Sequence, residues 1–283
     1  MSFIAVVGGG PLGGGIAQKL ALRDRVPEIR LIDPHAAVAQ GKALDILQSS
    51  PVERFSARIV SAQSLHAAAG AGAIVIADAA ETGREHTTDG ALQLVRALAA
   101  LETAAPLVFA GASQRELIGR SVGELKIDRR RALGTAPFAL ESALRALAGL
   151  ALDRSGAEVQ LSVVGSPPER AAVAWEEATA SGMPLRSQLP PHAIASLAAR
   201  IPTLWPPGPL SLASAAARVV EGIVNGSRRR FSCFVALDAG PIRQAVVAMP
   251  VEVGTGGLAR ILEPALTGLE RTQMENAIER QGS

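Results

Sequence analysis

The sequence predicts an α/β protein in which a doubly wound parallel sheet is followed by a mixed α+β domain. Short apolar runs alternate with helical segments through residues 1–137, which is typical of a parallel sheet with helices on both faces. The run Ala73-Ile74-Val75-Ile76-Ala77 is continuously apolar, as expected of a strand buried on both faces. From residue 138 onwards, amphipathic helices and alternating strands replace this pattern. We therefore expect two domains, residues 1–137 and 138–283.

A glycine turn near the N-terminus indicates what the first domain binds. An apolar strand leads into Gly8-Gly9-Gly10-Pro11-Leu12-Gly13, and a helical segment follows from Gly14. In this context Gly8 allows a tight turn, Gly10 lets backbone approach a pyrophosphate, and the last glycine lets the helix pack on its strand. Pro11 has no N–H to offer a phosphate. Residues 1–137 are thus predicted to form a Rossmann-type dinucleotide-binding domain. Its predicted cofactor contacts in the turn are Gly8, Gly10, Leu12 and Gly13.

An acidic residue at the end of the second strand is the other predicted cofactor contact. Asp33 closes the run Arg30-Leu31-Ile32-Asp33, twenty residues beyond Gly13. A carboxylate there is expected to hold the hydroxyls of an adenine ribose. No Arg or Lys directly follows it, which favours NAD over NADP. The alternative is an ordinary glycine-rich turn beside a surface aspartate.

The remaining elements follow from periodicity and turn signals. In the first domain we predict helices at 35–48, 90–101 and 116–125, and strands at 58–60, 73–77, 107–110 and 131–134. In the second we predict helices at 140–152, 190–201, 211–225 and 264–280, and strands at 158–164, 231–237 and 244–253, the last two paired around a turn at 238–241.

Composition narrows the class of protein. The chain has 283 residues, of which 48% are hydrophobic and 19% charged, and this favours a globular fold. The formal net charge of +2 and the absence of aromatic residues interleaved with the arginines of the triplets 129–131 and 228–230 argue against nucleic-acid binding. No apolar stretch reaches the ~20 residues of a membrane span. The lone Cys233 is expected to be a core residue in a cytoplasmic protein without an internal disulfide. No metal site is expected.

Several sequence blocks, in the same order, resemble the lactate/malate dehydrogenase family over nearly the full length of the chain. They are the glycine turn with Asp33, the segment Gln40-Gly41-Lys42-Ala43-Leu44-Asp45-Ile46, the segment 208–217, and Met249-Pro250-Val251-Glu252-Val253-Gly254-Thr255-Gly256-Gly257 followed by Ile261-Leu262-Glu263. The resemblance implies a Rossmann domain followed by a substrate domain, assembled as a homodimer or homotetramer. It also implies hydride transfer between NAD and a small 2-hydroxy or 2-oxo acid.

That reaction needs a proton carrier, and an imidazole suits the task near neutral pH. The family's Gly-His-Gly-Asp motif falls on Ser166-Pro167-Pro168-Glu169, so the histidine position is Pro167, which cannot titrate. The four histidines of the chain, at 35, 66, 86 and 192, all lie outside this motif.

The positions that would bind the substrate are also changed. The family's Asp-x-x-Arg falls on Leu140 and Ala143 without a gap. A one-residue slip makes the acid Glu141, but the arginine position then becomes Leu144. The Asn-Pro pair after the fifth strand falls on Ala112-Ser113. The resemblance therefore implies a site without its carboxylate, its substrate-binding guanidinium and its amide.

One candidate catalytic residue is left. The stretch 79–89 is similar to a shortened form of the family's arginine-bearing lid, and Arg84 is its only arginine. A lid cation that polarises a carbonyl and a solvated loop residue are both consistent with Arg84. His86 lies beside it, where a mobile loop would hold a base poorly. Ala79 stands where the family has a glycine that meets the cofactor.

The sequence leaves three functions open. The favoured one is an NAD-binding member of the family that has lost the hydride chemistry. The second is an active NAD-dependent oxidoreductase whose rebuilt site uses Arg84, His86, Glu141, Arg145 and Glu169. The third is an oligomeric interaction subunit that binds no ligand.

Overall fold

The parallel sheet occupies the first half of the chain and is arranged as predicted. The computed structural model describes residues 3–87, 89–101, 103–238 and 244–279. The strands of this half are β1 (Ile4–Val7), β2 (Glu28–Ile32), β3 (Arg58–Ala62), β4 (Ala73–Ile76), β5 (Leu107–Phe109) and β6 (Ala132–Gly134). The helices are α1 (Pro11–Arg23), α2 (Ala36–Glu53), α3 (Asp89–Ala99) and α4 (Arg115–Gly123).

The order of these strands determines where a ligand crevice forms. They pair in the order β3-β2-β1-β4-β5-β6, and each adjacent pair is parallel. The direction of winding reverses between β1 and β4. In open α/β sheets, ligands bind beyond the carboxyl ends of the strands at this reversal. The glycine turn after β1 and the residues after β4 therefore border the crevice.

Apolar strands form the centre of the core, as the sequence predicts. All residues of β1 and β4 are buried, and Ile4 and Ile74 are fully so. Helix α1 begins at Pro11, three residues earlier than predicted, because proline is well accommodated in the first turn of a helix. No helix in the described ranges is long and apolar enough to cross a membrane.

The second half continues the same sheet. Its helices are α5 (Ala136–Ala151), α6 (Leu185–Gln188), α7 (Pro191–Ala199), α8 (Pro209–Asn225) and α9 (Gly268–Glu279). Its strands are β7 (Val159–Gln160), β8 (Val163–Ser166), β9 (Arg170–Val173), β10 (Thr179–Ala180), β11 (Met183–Pro184), β12 (Arg230–Asp238), β13 (Gln244–Gly254) and β14 (Gly257–Ile261). Strand β12 lies antiparallel to β6, with Phe234 opposite Gly134. The sheet then runs through β13, β8 and β9, and β14 pairs with β13.

The predicted fold class, a doubly wound parallel sheet followed by an α+β region, is confirmed. The domain boundary at 137/138 stays a prediction. One buried apolar cluster joins the first half to α8 and β12–β14, and a second one surrounds Leu140 and Leu144 of α5.

Several element predictions need correction. The single strand predicted at 158–164 is wrong, because β7 pairs with β10 in a small second sheet whereas β8 belongs to the large one. The predicted helix 190–201 ends at Ala199, since Pro202 has no N–H with which to continue it. Helix α5 begins at Ala136, four residues earlier than predicted. Of the turn predicted at 238–241, residues 239–241 lie outside the described residues.

Cys233 is a core residue, as predicted, and we expect it to be unreactive. Its side chain is fully buried on β12. Burial, and then the charge of Glu141, raise the pKa of its thiol. Because the thiolate is the reactive form, a thiol reagent at pH 8 should label the native protein far more slowly than the unfolded protein. Equal labelling rates in the two states would contradict this burial.

Candidate functional site

The glycine turn has the steric features that the motif predicts. Gly8 has a φ of +109°, which disfavours a side chain. A methyl group built on Gly13 would lie 1.8 Å from the carbonyl oxygen of Gly8, so α1 can pack against its strand only through glycine. Leu12 points into the core and is 3% exposed. The turn thus has the backbone shape that a dinucleotide site requires.

Asp33 lies at the crevice, but its carboxylate is buried within the protein. It is 1% exposed. One carboxylate oxygen accepts hydrogen bonds from the N–H groups of Gly9 (2.7 Å) and Ala80 (2.9 Å), and the other accepts one from His35 (2.9 Å). Burial alone would raise the pKa of Asp33, but these hydrogen bonds outweigh it and lower the pKa below its usual value. The group predicted to hold a ribose instead connects the loops after β1, β2 and β4.

A second carboxylate, which the sequence analysis did not single out, contacts the N-terminus of α1. Asp78 follows β4 directly and is 3% exposed. Its two carboxylate oxygens accept hydrogen bonds from the N–H groups of Leu12 (2.9 Å) and Gly13 (2.8 Å). Its backbone carbonyl accepts another from Gly10 (3.0 Å). The signal that could have found it is an acidic residue immediately after a buried strand, at the sheet edge that the glycine turn borders.

The N–H groups of the turn therefore all have partners inside the protein. Backbone carbonyls accept three of these hydrogen bonds: that of Ile32 from Gly8, that of Asp78 from Gly10, and that of Gly10 from Gly14. Carboxylates accept the others: that of Asp33 from Gly9, and that of Asp78 from Leu12 and Gly13. Pro11 has none to give. A phosphate at a helix N-terminus is held by N–H groups that are free to face it. The residues present thus do not fit a dinucleotide pyrophosphate at this turn.

The segment that resembles a lid is attached to the neighbouring loop. Glu85 accepts hydrogen bonds from the N–H groups of Ala112 (2.8 Å) and Ser113 (2.7 Å). The side-chain amide of Gln114 donates to the carbonyl oxygens of Ala77 (3.1 Å) and His86 (3.2 Å). Ala112 and Ser113 are the residues at the family's Asn-Pro position. Hydrogen bonds within the protein therefore already use the backbone at that position.

The two candidate side chains on this segment lie in different environments. Arg84 is exposed. His86 is partly buried, and burial lowers the pKa of its imidazole although the nearby charges of Asp33 and Asp78 oppose this effect. The structure therefore places the imidazole near two carboxylates of the crevice, whereas the arginine faces solvent.

Helix α5 presents apolar residues at the positions of the substrate-binding pair. Leu140 is fully buried in the second apolar cluster, and Ala143 is partly buried. Glu141 is buried too, where one of its carboxylate oxygens accepts a hydrogen bond from the N–H of Ser232 (3.2 Å) and the other lies 3.6 Å from Arg145. Both Glu141 and Arg145 line a separate cavity of about 600 Å³.

The position of the family's histidine lies in a hairpin turn. Strands β8 and β9 are antiparallel, with Ser166 opposite Arg170, and residues 167–169 connect them. Pro167 is buried there. The Ser166 hydroxyl is hydrogen-bonded to the guanidinium of Arg115, a cation that the sequence analysis missed. Burial and then the charge of Arg170 lower the pKa of Arg115. The signal in the sequence that could have identified Arg115 is its position directly after the loop that follows β5.

Of the five residues of the rebuilt-site alternative, Glu141 and Arg145 form an ion pair at 3.6 Å, and no hydrogen bond or ion pair of the described residues joins them to Arg84, His86 or Glu169. In the described part of the chain, Glu141 bonds to Ser232 whereas His86 bonds to Ala77 and Gln114. Glu169 is exposed on the β8–β9 turn. No cluster of three or more His, Cys, Asp or Glu side chains that could hold a metal occurs among the described residues.

Comparison with known proteins connects this geometry to a family. No protein-family model matches the chain. The malate dehydrogenase of Thermomicrobium roseum is 26% identical over 293 aligned positions, which cover 97% of this chain and 94% of that protein. The solved malate dehydrogenase of Salinibacter ruber superposes with a TM-score of 0.83 at 19% identity, covering 98% of this chain and 94% of its own. The lactate dehydrogenase of Cryptosporidium parvum, solved with lactic acid and nicotinamide adenine dinucleotide, gives a TM-score of 0.84 at 19% identity, covering 99% and 96%.

The sequence blocks, the strand order and these matches along nearly the whole chain agree with one another. The chain is similar to malate dehydrogenases in sequence along nearly its whole length, and it has the fold of solved malate and lactate dehydrogenases.

Proposed function

We propose that this protein keeps the fold of its family but does not transfer hydride as its relatives do, and that it acts as a non-catalytic binding or structural protein. The observation that supports this most directly is Pro167, buried in the turn between β8 and β9 where the family motif has an imidazole. The proposal concerns turnover; cofactor binding is a separate property of the glycine turn.

Oxidation of a 2-hydroxy acid requires a group that takes the hydroxyl proton as hydride leaves, and the reverse reaction requires the same proton back. Such a group must come within hydrogen-bond reach of the hydroxyl. Proline has no titratable atom. The neighbouring Ser166 hydroxyl is bonded to Arg115. Glu169 is the titratable residue of this turn, but it is exposed and lies two residues beyond the position of the family's histidine, so the turn has no buried proton carrier at that position.

Substrate binding is weakened at the same place. A guanidinium binds a carboxylate through two parallel hydrogen bonds, which fix its orientation as well as its affinity. Helix α5 has Leu140 and Ala143 at the matching positions, and Leu140 is part of the apolar core. A small 2-oxo acid thus lacks its usual anchor beside the position of the missing base.

We expect the purified protein to show no NADH oxidation with oxaloacetate or pyruvate above the uncatalysed rate. Loss of a general base costs ~10²–10⁴ in rate and loss of an oriented donor ~10²–10³. These losses are not additive, so kcat/KM should lie at least about 10²-fold below that of the Thermomicrobium roseum enzyme assayed in parallel. The decrease in NADH absorbance measures the rate of oxidation for both proteins.

Turnover at the rate of the positive control would refute this proposal. If turnover occurs, His86→Ala and Arg84→Ala test the rebuilt site, since these side chains lie on the lid-like segment. The predicted homodimer or homotetramer and the predicted cytoplasmic location stay predictions; sedimentation analysis measures the first.

A further inference from the structure

The two carboxylate oxygens of Asp78 occupy the N–H groups that a pyrophosphate would need. Leu12 and Gly13 lie in the first turn of α1, where N–H groups have no acceptor within the helix and the backbone is arranged to bind an anion. In this chain the anion is a side chain of the same molecule. The carboxylate is held by two hydrogen bonds of 2.8 and 2.9 Å and is almost fully buried.

The space beside the turn is also filled. Gly10 is the residue whose missing side chain would let a pyrophosphate approach the backbone. A methyl group built on it would lie 2.4 Å from Cγ of Asp78 and 2.4 Å from its Oδ2. The carboxylate therefore packs directly against the face of Gly10 that the motif leaves open.

The charges at the turn oppose a dinucleotide. The Asp78 carboxylate lies beside the glycine turn, and a pyrophosphate carries negative charge of its own. Like charges brought together at a binding site oppose binding. The nearby Lys42 ammonium donates to the carbonyl oxygen of Gly9 at 2.5 Å, so it is engaged on the turn's own backbone.

The carboxylate is fixed by the loops around it. The backbone carbonyl of Asp78 accepts a hydrogen bond from the N–H of Gly10. The carboxylate of Asp33 accepts one from the N–H of Ala80, two residues further along the loop. Further along the same loop, Glu85 is hydrogen-bonded to Ala112 and Ser113. Moving the Asp78 backbone away from the turn would break hydrogen bonds at both ends of this loop.

We propose that the Asp78 carboxylate takes the place of a dinucleotide pyrophosphate, so that this protein does not bind NAD(H) at its glycine turn, and that Asp78 is the residue that closes the site. This goes beyond the proposed loss of hydride transfer, because a protein can bind NADH without turning it over. It also means that the backbone N–H groups predicted to bind the phosphates of NAD bind the Asp78 side chain instead.

Titration calorimetry of the wild-type protein with NADH, NAD and ADP-ribose tests the proposal directly. We expect no binding at ligand concentrations up to about 1 mM. Amide exchange at Leu12 and Gly13 should be the same with and without NADH. A wild-type Kd for NADH below about 100 μM, or protection of these two amides by NADH, would overturn the proposal.

The variant Asp78→Ala tests the assignment to this residue. Removing the carboxylate frees two N–H groups and the space beside Gly10, so we expect NADH affinity to rise at least about tenfold over wild type. The matched control is Glu53→Ala, an exposed acid at the C-terminal end of α2, which should bind no better than wild type. A folded Asp78→Ala protein, judged by circular dichroism, that binds no more tightly than wild type would overturn the assignment.

If Asp78→Ala does not fold, the wild-type titration and the amide exchange still test whether the protein binds NADH at its glycine turn. Wild-type NADH binding without turnover would refute this inference and leave the proposed function intact. Turnover at an ordinary rate would refute the proposed function.

Discussion

Replacing Asp33 with alanine is expected to lower the free energy of unfolding by about 3–5 kcal/mol at pH 7 in the absence of any ligand. The carboxylate accepts three backbone hydrogen bonds, from Gly9, His35 and Ala80, and is 1% exposed. A hydrogen bond to a charged group contributes about 1.5–3 kcal/mol, and the loss is expected to be largest at Gly9, whose bond is buried, because those of His35 and Ala80 are part-buried. Urea denaturation followed by circular dichroism measures the difference.

This result would separate two roles for the residue. A carboxylate that only holds a ribose contributes nothing to the stability of the ligand-free protein, so its removal would leave the unfolding midpoint unchanged. A carboxylate that joins three loops contributes in the absence of ligand. The exposed Asp45→Ala is the matched control and should change stability by less than about 0.5 kcal/mol.

The effect should also depend on pH in one direction. The pKa of Asp33 in the folded protein lies below its ordinary value of 3.8. The stabilisation is therefore fully present above pH 3.8 and is lost as the pH falls through the folded-state pKa. Wild type and Asp33→Ala should be closest in stability at the lowest pH at which both fold. A difference that grows towards acid pH would contradict this account.

Local steric rules explain why the glycine turn could be predicted. The requirement for glycine at positions 8 and 13 comes from backbone neighbours a few residues away or on the adjoining strand, so the motif alone indicates it. The buried strands β1 and β4 follow equally from their apolar runs. The position of Asp33 at the end of β2 was also predicted, from its spacing to the glycine turn.

The partners of these acids could not be predicted, because they depend on tertiary arrangement. Asp33 contacts a residue 47 positions away, Ala80, and Asp78 contacts one 66 positions away, Leu12. The sequence shows that a carboxylate follows a strand, but it does not show whether that group faces a ligand or a neighbouring loop. The same limit applies to Arg115, whose contact with Ser166 joins α4 to a hairpin 51 positions later.

The buried acid on α5 leads to a second large expected effect. The pKa of Glu141 is raised to about 7 by burial, which outweighs the hydrogen bonds from Ser232 and the charges of Arg145 and Arg230. Its ordinary value is 4.5. The folded protein therefore binds this proton more tightly than the unfolded chain does. Stability that is present below pH 4.5 is lost as the pH rises through about 7.

Glu141→Gln should remove that loss. The amide oxygen of glutamine can still accept the hydrogen bond from Ser232, while the charge that burial disfavours is absent. A shift of this size corresponds to about 3 kcal/mol, so we expect the variant to be more stable than wild type by up to about 3 kcal/mol at pH 8. The two proteins should be nearly equal at pH 4.5. Denaturant unfolding at a series of pH values gives the difference directly.

The control and the contrary outcome also bear on the site itself. Glu53→Gln replaces an exposed acid on α2 and should give a difference from wild type that does not vary between pH 4.5 and 8. If Glu141→Gln behaves like this control, Glu141 is ionised in the folded protein and is available as a charge beside Arg145. If the expected gain at pH 8 appears, Glu141 resists ionisation near neutral pH. An acid with a pKa of about 7 is only partly ionised at neutral pH, so the acid one residue along α5 from the family position is a poor substitute for the fixed negative charge with which a dehydrogenase orients an imidazole.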